Sequence, residues 1–236
     1  MTAINQPSQS SNKSAAPSPK ETAMFTLSLL WGGLAVLILI MLLFMLIRGV
    51  LADSFQQFDA AVTETVRLAA SPALTKAVAL FTDLASSHGI IPISLLCAGI
   101  SAWGFKRRWD ALGLLAALGG SYTLNLVIKN LIQRTRPSWE HWVVESGYSF
   151  PSGHSMAAIA FYGMLGYLLW LHRKERGRPA AYILILTGLL VLAIGLSRIY
   201  LGVHYATDVI AGFCAGGVWL IACIYALQWI RCKRRA

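Results

Sequence analysis

Six apolar runs, over approximately 24–47, 88–104, 110–128, 153–171, 180–196 and 208–228, divide this chain into spans and loops. A helix needs about 17–25 largely apolar residues to cross the hydrocarbon core of a bilayer. In that solvent a backbone satisfies its N–H and C=O groups only inside helices or closed barrels. Barrel strands need only about 9–11 residues, so runs of this length point to helices. The expected fold is all-α: a polytopic membrane protein with six transmembrane helices. Composition agrees, because 13% of the residues are charged and 56% are hydrophobic, whereas soluble domains carry about 25% charged residues. The first run exceeds the roughly 7–15 residue core of a secretory signal and follows a long polar stretch, so it reads as an uncleaved span.

The chain divides into a polar tail over 1–23, a first span within 24–49, a main body over 50–228 and a basic tail over 229–236. The first tail is rich in Ser, Pro, Gln and Asn, cannot build a core, and is expected to be disordered. Residues 50–87 separate the first two spans. Within them Phe55, Phe58, Val62 and Val66 recur at helical spacing, as do Leu74, Val78 and Phe81, with Asp59, Glu64, Arg67 and Lys76 assigned to the other positions. That pattern predicts interfacial helices covering one end of the bundle. Gly212 and Gly216 form a small-xxx-small pair and predict close helix packing within the bundle. Trp139, Trp142, Tyr148 and Phe150 read as an interfacial aromatic belt. Cys97, Cys214, Cys223 and Cys232 show neither a CxxC pair nor a zinc spacing and are expected to be buried apolar residues.

Charge gives the orientation. Lys106, Arg107 and Arg108 follow the second run; Arg173, Lys174, Arg176 and Arg178 follow the fourth; Arg231, Lys233, Arg234 and Arg235 follow the sixth. With Lys13 and Lys20, these alternate loops hold 13 of the 20 Lys and Arg residues. The positive-inside rule makes their side cytoplasmic, with both termini inside. The net charge of +10 therefore sits in short loops beside spans, where it orients the chain; nucleic acid is not the expected partner.

Three polar clusters lie at the other ends of the spans, and ionisable groups beside long apolar runs mark function. The first runs from Lys129 to Arg136 and Pro137. Seven residues apart, Lys129 and Arg136 share a helical face if the helix continues, and together they offer a point charge and a planar fork to one anion. The second is Pro151-Ser152-Gly153-His154, opening onto the fourth span. Ser152 suits an N-cap, Gly153 lets backbone approach an anion, helix N-termini bind phosphate, and His154 can carry a proton. The third joins Ser197 and Arg198 to His204 and Asp208. Four residues apart on a helix, the carboxylate can fix the imidazole tautomer and leave the other nitrogen nucleophilic. Singly, each cluster has a structural explanation in snorkelling cations, an ordinary cap or a satisfied His–Asp pair. Together they supply what is needed to hold a phosphate and attack it.

The series Lys-x6-Arg-Pro, Pro-Ser-Gly-His and Ser-Arg-x5-His-x3-Asp, at 129–137, 151–154 and 197–208, resembles the three-part signature of the type 2 phosphatidic acid phosphatase superfamily. The resemblance covers roughly residues 50–228. It implies a phosphohistidine route: His204 attacks phosphorus, Asp208 orients it, and His154 protonates the leaving oxygen and then activates water. Lys129, Arg136, Arg198, Ser152 and the Gly153 amide bind the phosphate oxygens, with no metal and no cofactor. The implied activity is a lipid phosphate phosphatase acting on a membrane lipid phosphate within the bilayer, on the extracytoplasmic face. The first expectation is the bacterial phosphatidylglycerophosphatase kind, with undecaprenyl diphosphate phosphatase close behind. Arg134 lies outside the motifs and is expected at most to touch substrate. Phosphotransfer to another lipid uses the same groups, and a headgroup-binding transporter or scaffold would need the cations alone.

Overall fold

The structure is a computed structural model and describes residues 19–234. Among these residues it is all-helical, with eight α-helices: α1 (Pro19–Leu51), α2 (Gln56–Arg67), α3 (Pro72–Thr82), α4 (Ser87–Gly99), α5 (Arg108–Ile132), α6 (Gly153–Glu175), α7 (Ala181–Tyr200) and α8 (Ala206–Lys233). Six helical segments are long and apolar enough to span, and each overlaps an expected run; α4 reaches that length by continuing through a π-helical turn over Ile100–Gly104. Of the tail expected over 1–23, residues 1–18 lie outside the described residues, and α1 begins at Pro19. The last helix runs through Lys233, into the stretch assigned to the basic tail.

The most apolar span is the least buried. Only 11% of the span in α1 is buried, against 50% in α6. Lipid is as apolar as leucine, so hydrophobicity does not draw helices together there; close packing of small residues and polar contacts do. α6 is accordingly central, with Phe161, Met164 and Leu168 packed against Leu114 of α5 and Ile194 of α7. Its approach to α8 runs along the small-residue stripe. A Cβ at Gly212 would stand 2.7 Å from the Ser152 carbonyl oxygen, and one at Gly216 2.7 Å from that of Met156. The small-xxx-small pair thus works inside the bundle. α1 lies along α8 through Leu46 and Val50, which join Phe150, Ala211 and Cys214. Cys232 is exposed, contrary to the expectation of burial, because it lies in the last turn of α8.

Consecutive spans run in opposite directions, so the C-terminal ends of α5 and α7 and the N-terminal ends of α6 and α8 share one end. That end carries all three polar clusters. α2 and α3, bent by 114° to each other, cover it: α2 packs Val62 and Val66 against Ile199 and Val209, and α3 packs Val78 and Ala79 against the cluster of Tyr200, Leu201 and Val203. The aromatic residues of the 133–152 loop do not form a belt. Phe150 is fully buried, the Trp139 indole N–H donates to the Gly202 carbonyl at 3.0 Å, and Trp142 stacks edge-on against Tyr200 at 5.1 Å. These side chains fasten the loop to the α7–α8 turn.

Replacing Gly216 by Val should push α6 from α8 and lower stability by about 2 kcal/mol, the usual scale of overpacking. The check is the melting temperature of detergent-purified protein; an unchanged value would contradict this packing.

Candidate active site

α5 stops short of the first cluster's end. Gln133 takes a left-handed conformation (φ 52°, ψ 31°) and its N–H closes on the Lys129 carbonyl at 2.9 Å. Lys129 therefore projects from the last helical turn, while Arg136 reaches in from the loop. The expected shared helical face does not form, yet both cations meet the same loop segment. Lys129 Nζ donates to the Tyr148 carbonyl. Arg136 donates to the carbonyls of Gly147 at 3.1 Å, Ser146 at 2.9 Å and Val203 at 2.8 Å.

The second cluster forms as its composition predicts. Ser152 is the N-cap of α6; its Oγ takes the Ser155 N–H at 3.4 Å and the Ser155 hydroxyl at 3.0 Å. Its own N–H donates to the Asp208 carbonyl at 3.0 Å, tying the start of α6 to the start of α8. Gly153 packs against α5, where a Cβ would meet Asn125 Oδ1 at 3.2 Å. His154 stands in the first turn, within electrostatic reach of Arg198, His204, Arg136 and Lys129.

His204 precedes α8, in the turn that follows α7, and Asp208 sits in the first turn of α8. The pair therefore meets through a helix cap and not along a helical face. Asp208 Oδ2 accepts the Tyr205 N–H at 3.0 Å and lies 3.4 Å from His204 Nδ1. The other ring nitrogen, Nε2, is 3.4 Å from Arg136 Nη1. Arginine has only donors, so this contact requires Nε2 to be the acceptor and puts the ring proton on Nδ1, toward Asp208. Burial pushes the His204 pKa down to about 4, against the opposing pull of Asp208. The imidazole is therefore neutral at physiological pH. Burial also lowers the Arg136 pKa from its usual value, which leaves it charged all the same.

Arg198, 1% exposed, ends α7 and donates to Thr82 Oγ1 at 3.1 Å. Its other terminal nitrogen binds Glu145, whose second oxygen lies 3.7 Å from Arg136. The segment Glu145–Tyr148 thus presents one carboxylate and three carbonyls to the three motif cations. Nothing in the sequence pattern singles out Glu145, because a loop has no periodicity to betray a functional side chain.

Arg134 is not placed as a substrate contact. It spans two buried carboxylates, donating to Asp208 Oδ1 at 2.7 Å and to Asp59 Oδ2 at 2.8 Å, with Tyr205 under its guanidinium at 3.8 Å. Burial opposes its charge, but Asp208 and Asp59 outweigh it and raise the pKa. Asp59 also accepts the Thr207 N–H at 2.9 Å and the Thr207 hydroxyl at 2.8 Å. The sequence assigned Asp59 to a polar position, whereas it is fully buried. A signal for this existed: Phe55, Asp59, Val62 and Val66 follow the i, i+4, i+7, i+11 stripe, so an acid interrupts an otherwise apolar face. Among the described residues, no three His, Cys, Asp or Glu side chains gather as a metal site.

The PAP2 superfamily profile matches residues 110–232. The phosphatidylglycerophosphatase B of Bacillus subtilis is 34% identical over 164 residues, 70% of this chain and 80% of that protein. The lipid A 1-phosphatase of Rhizobium etli is 31% identical over 213 residues, covering 80% of this chain and 84% of that protein. Among solved structures, a transmembrane PAP2 type phosphatidylglycerolphosphate phosphatase from Bacillus subtilis superposes with a TM-score of 0.75 at 30% identity, covering 84% of this chain and 96% of the other.

Asp59→Ala leaves the Arg134 charge buried with one carboxylate instead of two. Breaking a buried pair in this way removes about 3–5 kcal/mol, so the variant should melt well below the parent protein in detergent. Equal melting temperatures would refute a structural role for the Asp59–Arg134 pair.

Proposed function

The chain belongs to the PAP2 superfamily, and on that premise we propose that it is a membrane phosphatase hydrolysing the phosphomonoester or diphosphate of a lipid headgroup. The observation that carries this is the clamp on His204, between Asp208 at Nδ1 and Arg136 at Nε2. A neutral imidazole, its proton held by a carboxylate, turns its Nε2 lone pair to Arg136, and a phosphate that draws this guanidinium to its own oxygens frees the lone pair for attack. A headgroup binder has no use for that arrangement.

In the proposed mechanism the substrate phosphate displaces the Glu145 carboxylate from Arg136 and Arg198, the two groups competing for the same guanidinium forks. Lys129, Ser152 and the Gly153 N–H complete the hold, and the cations stabilise charge spread over the equatorial oxygens. His154 takes up a proton as the phosphate dianion enters beside it; His204 Nε2 then attacks phosphorus as the bond to the lipid oxygen breaks, and His154 gives that oxygen its proton. His154, now neutral, takes a proton from water. The resulting hydroxide cleaves the phosphorus–nitrogen bond, releasing inorganic phosphate and neutral His204. Asp208 keeps the ring oriented throughout, and Arg134 with Asp59 keeps Asp208 in place. Fixed cations supply the positive charge, so no cofactor enters.

We assign phosphatidylglycerol phosphate as the first substrate to test, supported by the Bacillus relatives. The basic loops support cytoplasmic termini and a site on the extracytoplasmic side.

Protein purified in detergent and assayed with EDTA should release phosphate from phosphatidylglycerol phosphate, with phosphatidic acid and undecaprenyl diphosphate as comparisons. His204→Ala should lose at least about 10³-fold in rate, the scale on which removal of a nucleophile acts. A variant retaining a tenth of the parent rate, or activity that only Mg²⁺ restores, would overturn the assignment.

A further inference from the structure

The end of the bundle away from the catalytic cluster holds a second concentration of cations. A cavity of about 570 Å³ opens there, lined by Lys106, Arg107, Arg108, Arg231 and Arg234 around Asp110. Asp110 is 2% exposed and already engaged: it accepts Arg231 Nη2 and lies 2.9 Å from His172 Nε2 and 3.9 Å from Arg107. Arg107 also pairs with Glu175 at 3.4 Å. Among the described residues no carboxylate pairs with Lys106, Arg108 or Arg234; all three are exposed, and Arg234 lies 5.0 Å over the Trp109 ring. No side chain caps the start of α5, which begins within this group of cations, so its first N–H groups add to the positive potential.

Orientation by the positive-inside rule requires only that cations be present in the loops. It does not require that five of them, drawn from the start of α5 and the end of α8, line one cavity around a buried aspartate. The size lies in the range of small-ligand sites, about 300–1,000 Å³. The excess of cations selects an anion, and arginine forks select phosphate geometry. The lining also includes Leu112, 52% exposed on α5 one turn from Arg108, which gives the cavity an apolar edge on the outer surface of a spanning helix.

We propose that this cavity is a second binding site, separate from the catalytic cluster, for a phosphate-bearing anion. The source that suits it is an anionic phospholipid headgroup of the leaflet opposite the active site, with the acyl chain passing along Leu112. Basic pockets between membrane helices recognise lipid headgroups by this chemistry. The site does not depend on the proposed hydrolysis.

The test is native mass spectrometry of the full chain in detergent. The unsubstituted protein is compared with a variant carrying Lys106→Gln, Arg108→Gln and Arg234→Gln, all at exposed positions outside the catalytic machinery. Dioctanoyl phosphatidylglycerol, dioctanoyl phosphatidylcholine and glycerol 3-phosphate serve as probes. The unsubstituted protein should bind a phosphatidylglycerol that the triple variant binds about 100-fold more weakly, since each such cation near an anionic headgroup contributes about fivefold. Phosphatidylcholine should bind both alike, and the variant should stay monodisperse with an unchanged melting temperature. Loss of glycerol 3-phosphate binding with phosphatidylglycerol retained would overturn the lipid source in favour of a soluble phosphate. Equal binding of both anions to both proteins would overturn the site.

Discussion

A single arginine between two buried carboxylates is the constraint on which the end of the bundle carrying the three polar clusters depends. Arg134 joins Asp59 of α2 to Asp208 of α8, and the Thr207 hydroxyl accepts from Arg134 and donates to Asp59. Charges this deeply buried are tolerated only when they are paired and hydrogen-bonded. Removing Arg134 leaves two buried carboxylates without their shared cation, and removing either carboxylate leaves the other to hold the guanidinium alone. Its consequence reaches the chemistry through Asp208, whose second oxygen is the one that meets His204. α2 is thereby tied to His204 through two side chains, Arg134 and Asp208. α2 covers the bundle's end and, through Asp59 and Arg134, also holds the Asp208 carboxylate from behind.

The bundle itself answers a different demand. In lipid the apolar residues need not turn inward, and α1 leaves most of its surface facing outward. α6 and α8 approach closely, and the glycine stripe of α8 lets the Ser152 carbonyl pass near Gly212. That same approach brings the start of α6 to the start of α8, so that the Ser152 N–H meets the Asp208 carbonyl. The stripe therefore places the second motif against the third. Packing and chemistry share one pair of helices, and the antiparallel order of spans delivers the remaining cations to the same end.

How much of this the sequence announced depends on how local each signal is. The six spans were legible because length and apolarity act over one segment at a time. The three polar clusters were legible as motifs, but not the way they meet. Lys129 and Arg136 converge through a left-handed Gln133 that ends the helix, not through a common face, and a glutamine gives no warning of such a turn. Asp59 was misassigned although its register placed it on the apolar stripe, because an acid there has meaning only once Arg134 lies opposite. Glu145 was invisible, since its role depends on where a long loop folds back. Phe150 and Trp139 looked like membrane anchors because the same amphipathic character serves to fasten a loop to the helices beneath it.

The account stands or falls on His204 as the atom that takes the phosphate. The direct measurement is acid-free denaturing quench of the His154→Ala variant during turnover of ³²P-labelled 4-nitrophenyl phosphate, whose leaving group departs without a proton, followed by peptide mapping. With the proton carrier removed and water activation slowed, an acid-labile, base-stable phosphate should accumulate on the peptide containing His204. Label on any other residue, or turnover that proceeds without a covalent phosphate under these conditions, would contradict the mechanism.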